Sequence, residues 1–409
     1  MRELNPKIEL HTILADQIYK ALQGDVINPI RLSCGDVESD KAYHSMLQGS
    51  SLKVQPTTLP KFYKLCREVQ EKLGYKEKLD FYITGDAQVN ACASLGGDDD
   101  LPSIVNINSG LFNLMTEDEI KYVIGHEIGH IINKDSLIDK LWNFVYPTEE
   151  IEQKRCPVFL KNRLTLFNKI AELGADRYGY MANENLEACI TAIFKLSSGL
   201  YLQNLDISIN GLLEENEKCL QTFLGRSGTK ILGGSHPVNP IRIHALELFV
   251  NCKTQKELNE GMISIVDNLQ EFGWSNFHDA LARFNASAGV LMAEIDGEID
   301  KYEERYILNM VAPFSLFPER TIKDIRKRDL RKVMAESAAT IEELNPNSTI
   351  DLLGYLVKLA LIDDRLDERE LGLIYDFSMK HLHMSESFIS QYIADVLKEE
   401  FVPQAYWMK

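Results

Sequence analysis

Apolar positions recur at three- and four-residue steps along most of the chain, so helices dominate what it predicts. Ile8 to Gln23 reads as a helix, and the residues from there to about 45 as a loop of mixed polarity. Pro60 opens a second helix, with Phe62, Leu65, Cys66, Val69 and Leu73 on one face and Gly74 as its stop. Leu79 to Thr84 alternates as a strand does. Ser103, Ile104, Val105, Asn106, Ile107 and Asn108 form another short strand, between a Gly-Gly-Asp-Asp-Asp turn and Ser109-Gly110. Thr116 and Glu119 make a capping box, and acidic residues crowd the first turn, where the helix dipole favours them. Ile120, Val123, Ile124, Ile128, Ile131 and Ile132 give that helix its buried stripe. Val158 to about Leu200 is mainly helical, and residues 201–235 are looser, with a Gly/Ser-rich stretch from Gly225 to Ser235. Helices over Pro240–Val250 and Gln255–Leu269 close this region.

The last ~120 residues carry an internal repeat, which implies two packed helix–turn–helix units. Asp296-Gly297-Glu298-Ile299-Asp300-x-x-Glu303 matches Asp363-Asp364-Arg365-Leu366-Asp367-x-x-Glu370 at an offset of 67 residues. Ala293 and Ala360 match at the same offset, as do Ile307 and Ile374. An EF-hand is excluded: counted from Asp296, the sixth position is Lys301 and the twelfth Ile307, where Gly and Glu are needed. Weak cation binding by Asp296, Glu298 and Asp300, or by Asp363 and Asp367, stays open beside helix capping, the commoner use of Asp. The boundary before this region falls between Phe272 and Ala288.

Charge narrows the partners. The 409 residues hold 44 Lys+Arg against 61 Asp+Glu, a formal −17, which argues against nucleic acid or an anionic membrane surface as the main partner. No stretch reaches ~18 apolar residues, so no membrane insertion is expected. Glu3, Lys7, Glu9 and Asp16 interrupt any signal-peptide core. The seven cysteines are scattered and contain no Cys-x-x-Cys, which fits reduced thiols in the cytoplasm.

The chemistry concentrates in His126-Glu127-Ile128-Gly129-His130. Helical residues four apart leave one face, so both imidazoles can grip one ion, while Glu127 can reach a water without ligating the ion itself. A catalytic zinc needs a third protein ligand. Glu172, 42 residues after His130 in Glu172-Leu173-Gly174-Ala175-Asp176, can supply it. Asp176, one turn on, can hold the other ring nitrogen of a ligating histidine. Gly174 and Ala175 are expected to let the two helices approach closely. In Ser235-His236-Pro237-Val238-Asn239-Pro240-Ile241-Arg242, His236 and Arg242 are candidates to stabilise an oxyanion. His11, His44, His244, His278, His381 and His383 show no partner spacing of note.

In this order and spacing, His-Glu-Ile-Gly-His, Glu-Leu-Gly-Ala-Asp-Arg and Ser-His-Pro-x-x-x-x-Arg-Ile resemble the HtpX-like and CAAX-prenyl-protease family of gluzincin metallopeptidases, over roughly residues 45–255. Asn90-Ala91 and Ser109-Gly110-Leu111 fit the same pattern. The resemblance implies zinc on His126, His130 and Glu172, Glu127 as general base, Asp176 behind the ligands, and His236, with Arg242, at the tetrahedral intermediate. It also implies that strand Ser103–Asn108 is an edge strand that pairs with an extended peptide substrate. Asn168-Lys169 departs from the Ser-Arg that the family often has before its third ligand. The terminal repeat is similar to TerB-like helical domains, with Asp364 in place of Gly in the second copy.

The expected fold class is α+β: a mainly helical zincin-type domain with a small sheet, followed by an all-helical domain. The expected divisions are an N-terminal segment 1–45, a metallopeptidase domain 46–272 and a TerB-like domain 285–409. The expected function is hydrolysis of a peptide or protein substrate with one Zn2+ per chain. The alternative is a latent peptidase fold acting as a metal-binding scaffold, with a protein partner on its C-terminal domain.

Overall fold

The structure, a computed structural model, describes residues 4–96, 101–147, 158–200, 208–224, 236–269, 276–295, 301–315, 318–362 and 368–400. The stretch Gly225–Ser235 and the acidic turns at Asp296–Asp300 and Asp363–Asp367 lie outside the described residues. The chain divides into two compact units, one of residues 1–156 and 163–271, the other of residues 157–162 and 272–409. The fold is α+β and mainly helical, with one four-stranded sheet.

The first unit opens with α1 (Glu9–Ala21), α2 (Gly24–Arg31) and α3 (Val37–Ser50), so the loop expected before residue 45 is helical instead. Helix α1 forms where Ile8 to Gln23 was expected to be helical, whereas α2 and α3 replace the expected loop, α2 with Pro29 inside it. Strand β1 (Leu52–Lys53) and α4 (Pro60–Lys72) follow, then β2 (Leu79–Thr84), β3 (Ala91–Ser94) and β4 (Ser103–Asn108). The sheet order is β1-β2-β4-β3, with β2 parallel to β4 from Leu79↔Ser103 to Thr84↔Asn108, and β3 antiparallel to β4 through Ala91↔Ile107.

This order corrects one expectation. Strand Ser103–Asn108 is not an edge strand: β2 and β3 occupy both of its sides. Ser103 to Ile107 are all buried, and successive residues buried on both faces are the signature of an interior strand. The edges are β1 and β3, and β3, beside Ser103–Asn108, has a short Ala-Cys-Ala-Ser sequence that carries no β-branched residue and shows no period-two pattern.

After α5 (Ser109–Leu114) comes α6 (Glu117–Asn133), which carries the histidine motif. Its capping box is formed: the Glu119 carboxylate accepts from the Thr116 N–H at 2.6 Å, and the Glu119 N–H donates to Thr116 Oγ1 at 3.4 Å. Ile120, Val123, Ile124, Ile128 and Ile131 pack with Phe81, Val105 and Ile107 of the sheet in one core. The unit continues through α7 (Asp135–Val145), α8 (Val158–Asn183), α9 (Leu186–Ser198), α10 (Ile209–Leu224), α11 (Asn239–Asn251) and α12 (Gln255–Leu269).

The second unit is helical throughout its described residues: α13 (Asn276–Ala293), α14 (Lys301–Val311), α15 (Pro318–Ile325), α16 (Leu330–Leu344), α17 (Thr349–Leu359), α18 (Glu368–His381) and α19 (Glu386–Glu400). Positions matched by the repeat share their environment. Ala293 and Ala360, Ile307 and Ile374, and Glu303 and Glu370 are all buried.

Candidate metal centre

Three donors meet at one point. Helix α6 projects His126 and His130 from one face, with Nε2 atoms 3.2 Å apart. Helix α8 brings Glu172 to them, Oε2 3.4 Å from His126 Nε2 and Oε1 3.6 Å from His130 Nε2. The three donor atoms lie within 4.8 Å of one another, so they could hold one metal ion. Glycines bring the two helices together, though not the expected ones. A Cβ on Gly125 would fall 2.5 Å from Ala182 Cβ and 2.9 Å from the Tyr178 carbonyl oxygen, and one on Gly129 would fall 2.9 Å from Tyr178 Cβ. At Gly174 the nearest atom is 3.7 Å away, ordinary contact, and the tight glycine on α8 is instead Gly179, where a Cβ would fall 2.6 Å from the Tyr122 ring and 2.9 Å from its carbonyl oxygen.

Carboxylates fix both rings from behind. His126 Nδ1 is 3.0 Å from Asp176 Oδ1, and His130 Nδ1 is 2.8 Å from Asp135 Oδ2. With each Nδ1–H donating to a carboxylate, the Nε2 atoms of both rings face the same point, where their lone pairs converge once the rings take the neutral form that binds a metal. Lone pairs so close repel unless a positive charge stands between them. Glu172 Oε2 supplies the second sign of this: it is buried and makes no hydrogen bond among the described residues. Two imidazoles and one carboxylate, with a buried oxygen left over, fit zinc with an open fourth position.

The electrostatics agree. Burial disfavours a charged His126, yet Asp176 and Glu172 overcome it and push the imidazole up to about 10. Burial likewise opposes the Glu172 carboxylate, but His126, His130 and Arg242 bring it down to about 2. Asp176 is held well below the usual carboxylate range by Arg242 and His126, against the cost of its burial. The pocket therefore rewards positive charge and keeps its carboxylates ionised.

Arg242 departs from the sequence expectation. It is buried, with Nε 2.9 Å and Nη2 2.6 Å from the two oxygens of Asp176, and only 3.9 Å from Glu172 Oε2. A guanidinium committed in this bidentate way steadies Asp176 and is not aimed at a substrate carbonyl. Tyr122 adds a third hold, donating to Asp176 Oδ1 at 2.6 Å. His236 stands at the mouth, its side chain 59% exposed and Nε2 3.3 Å from Glu172 Oε1.

Tyr122 and Asp135 were missed in the sequence. The only signal for Asp135 was its place just beyond the motif. Lys134, with φ 59°, breaks the chain between α6 and α7 and turns Asp135 back toward His130. A cleft of 720 Å³ opens over the donors. Asn90, Ala91 and Cys92 of the β3 edge form one wall, with Glu127 and His236 also lining it. The residues Ser103–Asn108 do not line this cleft.

Comparison with known proteins agrees with this geometry. The sequence model of Peptidase family M48 matches residues 60–147, a span that takes in strands β2 to β4 and the motif helix. The chain is similar to proteins named protease HtpX homolog. The one from Ralstonia nicotianae is 32% identical over 89 residues, covering 22% of this chain and 30% of the relative. The one from Pelotomaculum thermopropionicum is 34% identical over 100 residues, covering 24% and 34%. The one from Nostoc is 30% identical over 100 residues, covering 24% and 33%. The chain thus spans about a third of the length of the curated relatives it matches. No solved structure matches it significantly. These likenesses support a metallopeptidase. Among the described residues no helix is long and apolar enough to cross a membrane.

Proposed function

We propose that the first unit is a zinc-dependent endopeptidase of the HExxH gluzincin type. The observation that carries this is the convergence of His126, His130 and Glu172 beneath a cleft walled by an open strand edge and by Glu127. Zinc on these donors supplies Lewis-acid polarisation of a carbonyl and acidification of a water. The chain supplies the rest. Asp176 and Asp135 hold the two rings in the ligating tautomer. An extended peptide pairs backbone to backbone with β3, the edge that Ser103–Asn108 had been expected to provide. The Glu127 carboxylate takes a proton from the attacking water and hands it to the leaving amine. His236, exposed at the mouth, donates toward the charge that develops on the carbonyl oxygen.

The same proposal places the chain in the cytoplasm and reads the second unit as a TerB-like domain that docks a protein partner. The shared burial of the repeat-matched positions supports that likeness.

Metal analysis should find about one zinc per chain. Glu127→Gln should keep the zinc and lose peptide hydrolysis by at least about a hundredfold. A zinc-loaded Gln variant with undiminished hydrolysis would remove Glu127 from the mechanism.

A further inference from the structure

The N-terminal helix reaches the metal centre from behind. His11 is 2% exposed and lies on the buried stripe of α1 with Leu14 and Ile18. Its Nε2 is 2.8 Å from Asp135 Oδ1, while Oδ2 of the same carboxylate is 2.8 Å from Nδ1 of His130. The His11 ring also stacks on Phe167, centroids 4.8 Å apart and planes 21° apart, on the helix that carries Glu172. Both ring nitrogens of His11 and Oδ1 of Asp135 are buried, and among the described residues none makes an aligned hydrogen bond, which leaves the 2.8 Å polar contact between Nε2 and Oδ1 as what each of those two atoms has.

Other contacts tie the same segment down. The Lys140 ammonium on α7 meets both oxygens of Asp40 on α3, at 2.7 and 2.8 Å. The Arg177 guanidinium on α8 donates to the Pro6 carbonyl oxygen at 3.5 Å.

From this we infer that His11 is a positioning residue of the metal centre: it fixes the Asp135 carboxylate, which in turn aims the ring of His130. The inference rests on the zinc reading above. A carboxylate held at both oxygens has one orientation, and the imidazole it accepts from inherits that orientation. With Oδ1 released, the carboxylate can rotate about its last bond, and the His130 lone pair loses its fixed aim. Helix α1 is then part of the ligand scaffold and not a cover over the cleft. Removing it would loosen the metal where removal of a cover would raise activity.

The test uses the full chain and zinc itself. His11→Phe keeps the ring volume and the stack on Phe167 but removes both nitrogens. It should weaken zinc, titrated against a chelator, about tenfold, the lower end for a residue behind a metal ligand. It should also shift the visible absorption of the Co2+-substituted protein, with the metal-free melting temperature close to wild type. His11→Gln, which keeps an N–H near the position of Nε2, should restore most of the affinity and the cobalt spectrum. In an Asp135→Asn background His11→Phe should add less than twofold, because the two residues act in series. Wild-type zinc affinity and cobalt spectrum in His11→Phe, or independent additive losses in the double variant, would overturn the inference while leaving the zinc reading intact. If His11→Phe does not fold, His11→Leu, which also removes both nitrogens, decides the same question by additivity with Asp135→Asn. Failure of the wild-type chain to bind zinc at all would overturn the zinc reading, and this inference with it.

Discussion

In the first unit Asp176, Arg177, Lys195 and Arg242 are all buried, whereas in the second the buried side chains are mainly alanine, leucine and isoleucine. Helix α13 lays Ala282, Phe284, Ala286 and Ala288 against Leu353 and Leu356 in one apolar cluster. Among the described residues, Glu303 and Glu370 are the only charged side chains buried in the second unit. Burying an ion costs several kcal/mol even after relaxation, and a close partner only roughly offsets that. A fold selected for stability alone would follow the second pattern. The ionic interior of the first unit is therefore best understood through the site it orients, since Asp176, Arg242 and Tyr122 all converge behind His126.

The comparison breaks most visibly at Arg242. Arg242→Met leaves the Asp176 carboxylate buried without its cation, which should cost about 4 kcal/mol in urea unfolding. Adding Asp176→Asn should recover part of the loss, and a double variant less stable than Arg242→Met would contradict the pairing. In the second unit the corresponding damage is a cavity. Leu356→Ala, in a fully buried position, should cost about 3 kcal/mol while leaving zinc affinity unchanged within about twofold, since its cluster contains no donor. A matching loss of zinc would show that the units do not divide the labour this way.

Glu119 tests whether buried charge in the first unit also serves the fold. Its carboxylate is met by Lys195 Nζ at 2.7 Å and by the Thr191 hydroxyl at 2.7 Å, in addition to its capping bond. Burial raises its pKa, but Lys195, the Thr116 N–H and Thr191 together bring it below the ordinary value. A depressed carboxyl stabilises the fold above the unfolded pKa, and that contribution is lost as pH falls through the folded value. Glu119→Gln should therefore cost about 2 kcal/mol at pH 7 and progressively less below pH 4. A pH-independent difference would mean that the charge of Glu119 contributes nothing to stability.

What could be read in the sequence was local. The motif helix announced itself three times over, by its capping box, its stripe of isoleucines and its two histidines. Glu172 was legible through the chemistry that a pair of histidines demands. Properties set by packing were not legible. Nothing in Ala91–Ser94 marks an edge strand, and nothing near Gly125 says that Tyr178 will cross there. His11 is the extreme case: it lies 119 residues before His130 with no spacing to recommend it, yet it sits one carboxylate away from the centre. Helix periodicity marks His11 as inward-facing, but only tertiary structure shows what it faces.

The finest comparison lies within one helix. Asp135 and Asp139 stand one turn apart on α7 and both line the cleft. Burial works against the Asp135 carboxylate, whereas Asp139 is exposed and only partly desolvated by the cleft wall. At Asp135 the contacts from His11 and His130 win, and its pKa is lowered. At Asp139 desolvation on the cleft wall and the neighbouring Asp135 charge push the pKa up to about 6. A raised carboxyl binds its proton in the folded state after the unfolded chain has released it, so stability falls as pH rises from about 4 to about 6 and stays lower above that. Asp139→Asn removes this decline. The variant should match wild type at pH 4 and be the more stable at pH 7. Solvent at the outer face of the side chain screens the difference to less than about 1 kcal/mol. Paired melting curves at the two pH values measure it, and a variant that is less stable at pH 7 would mean that Asp139 has a favourable partner like that of its neighbour.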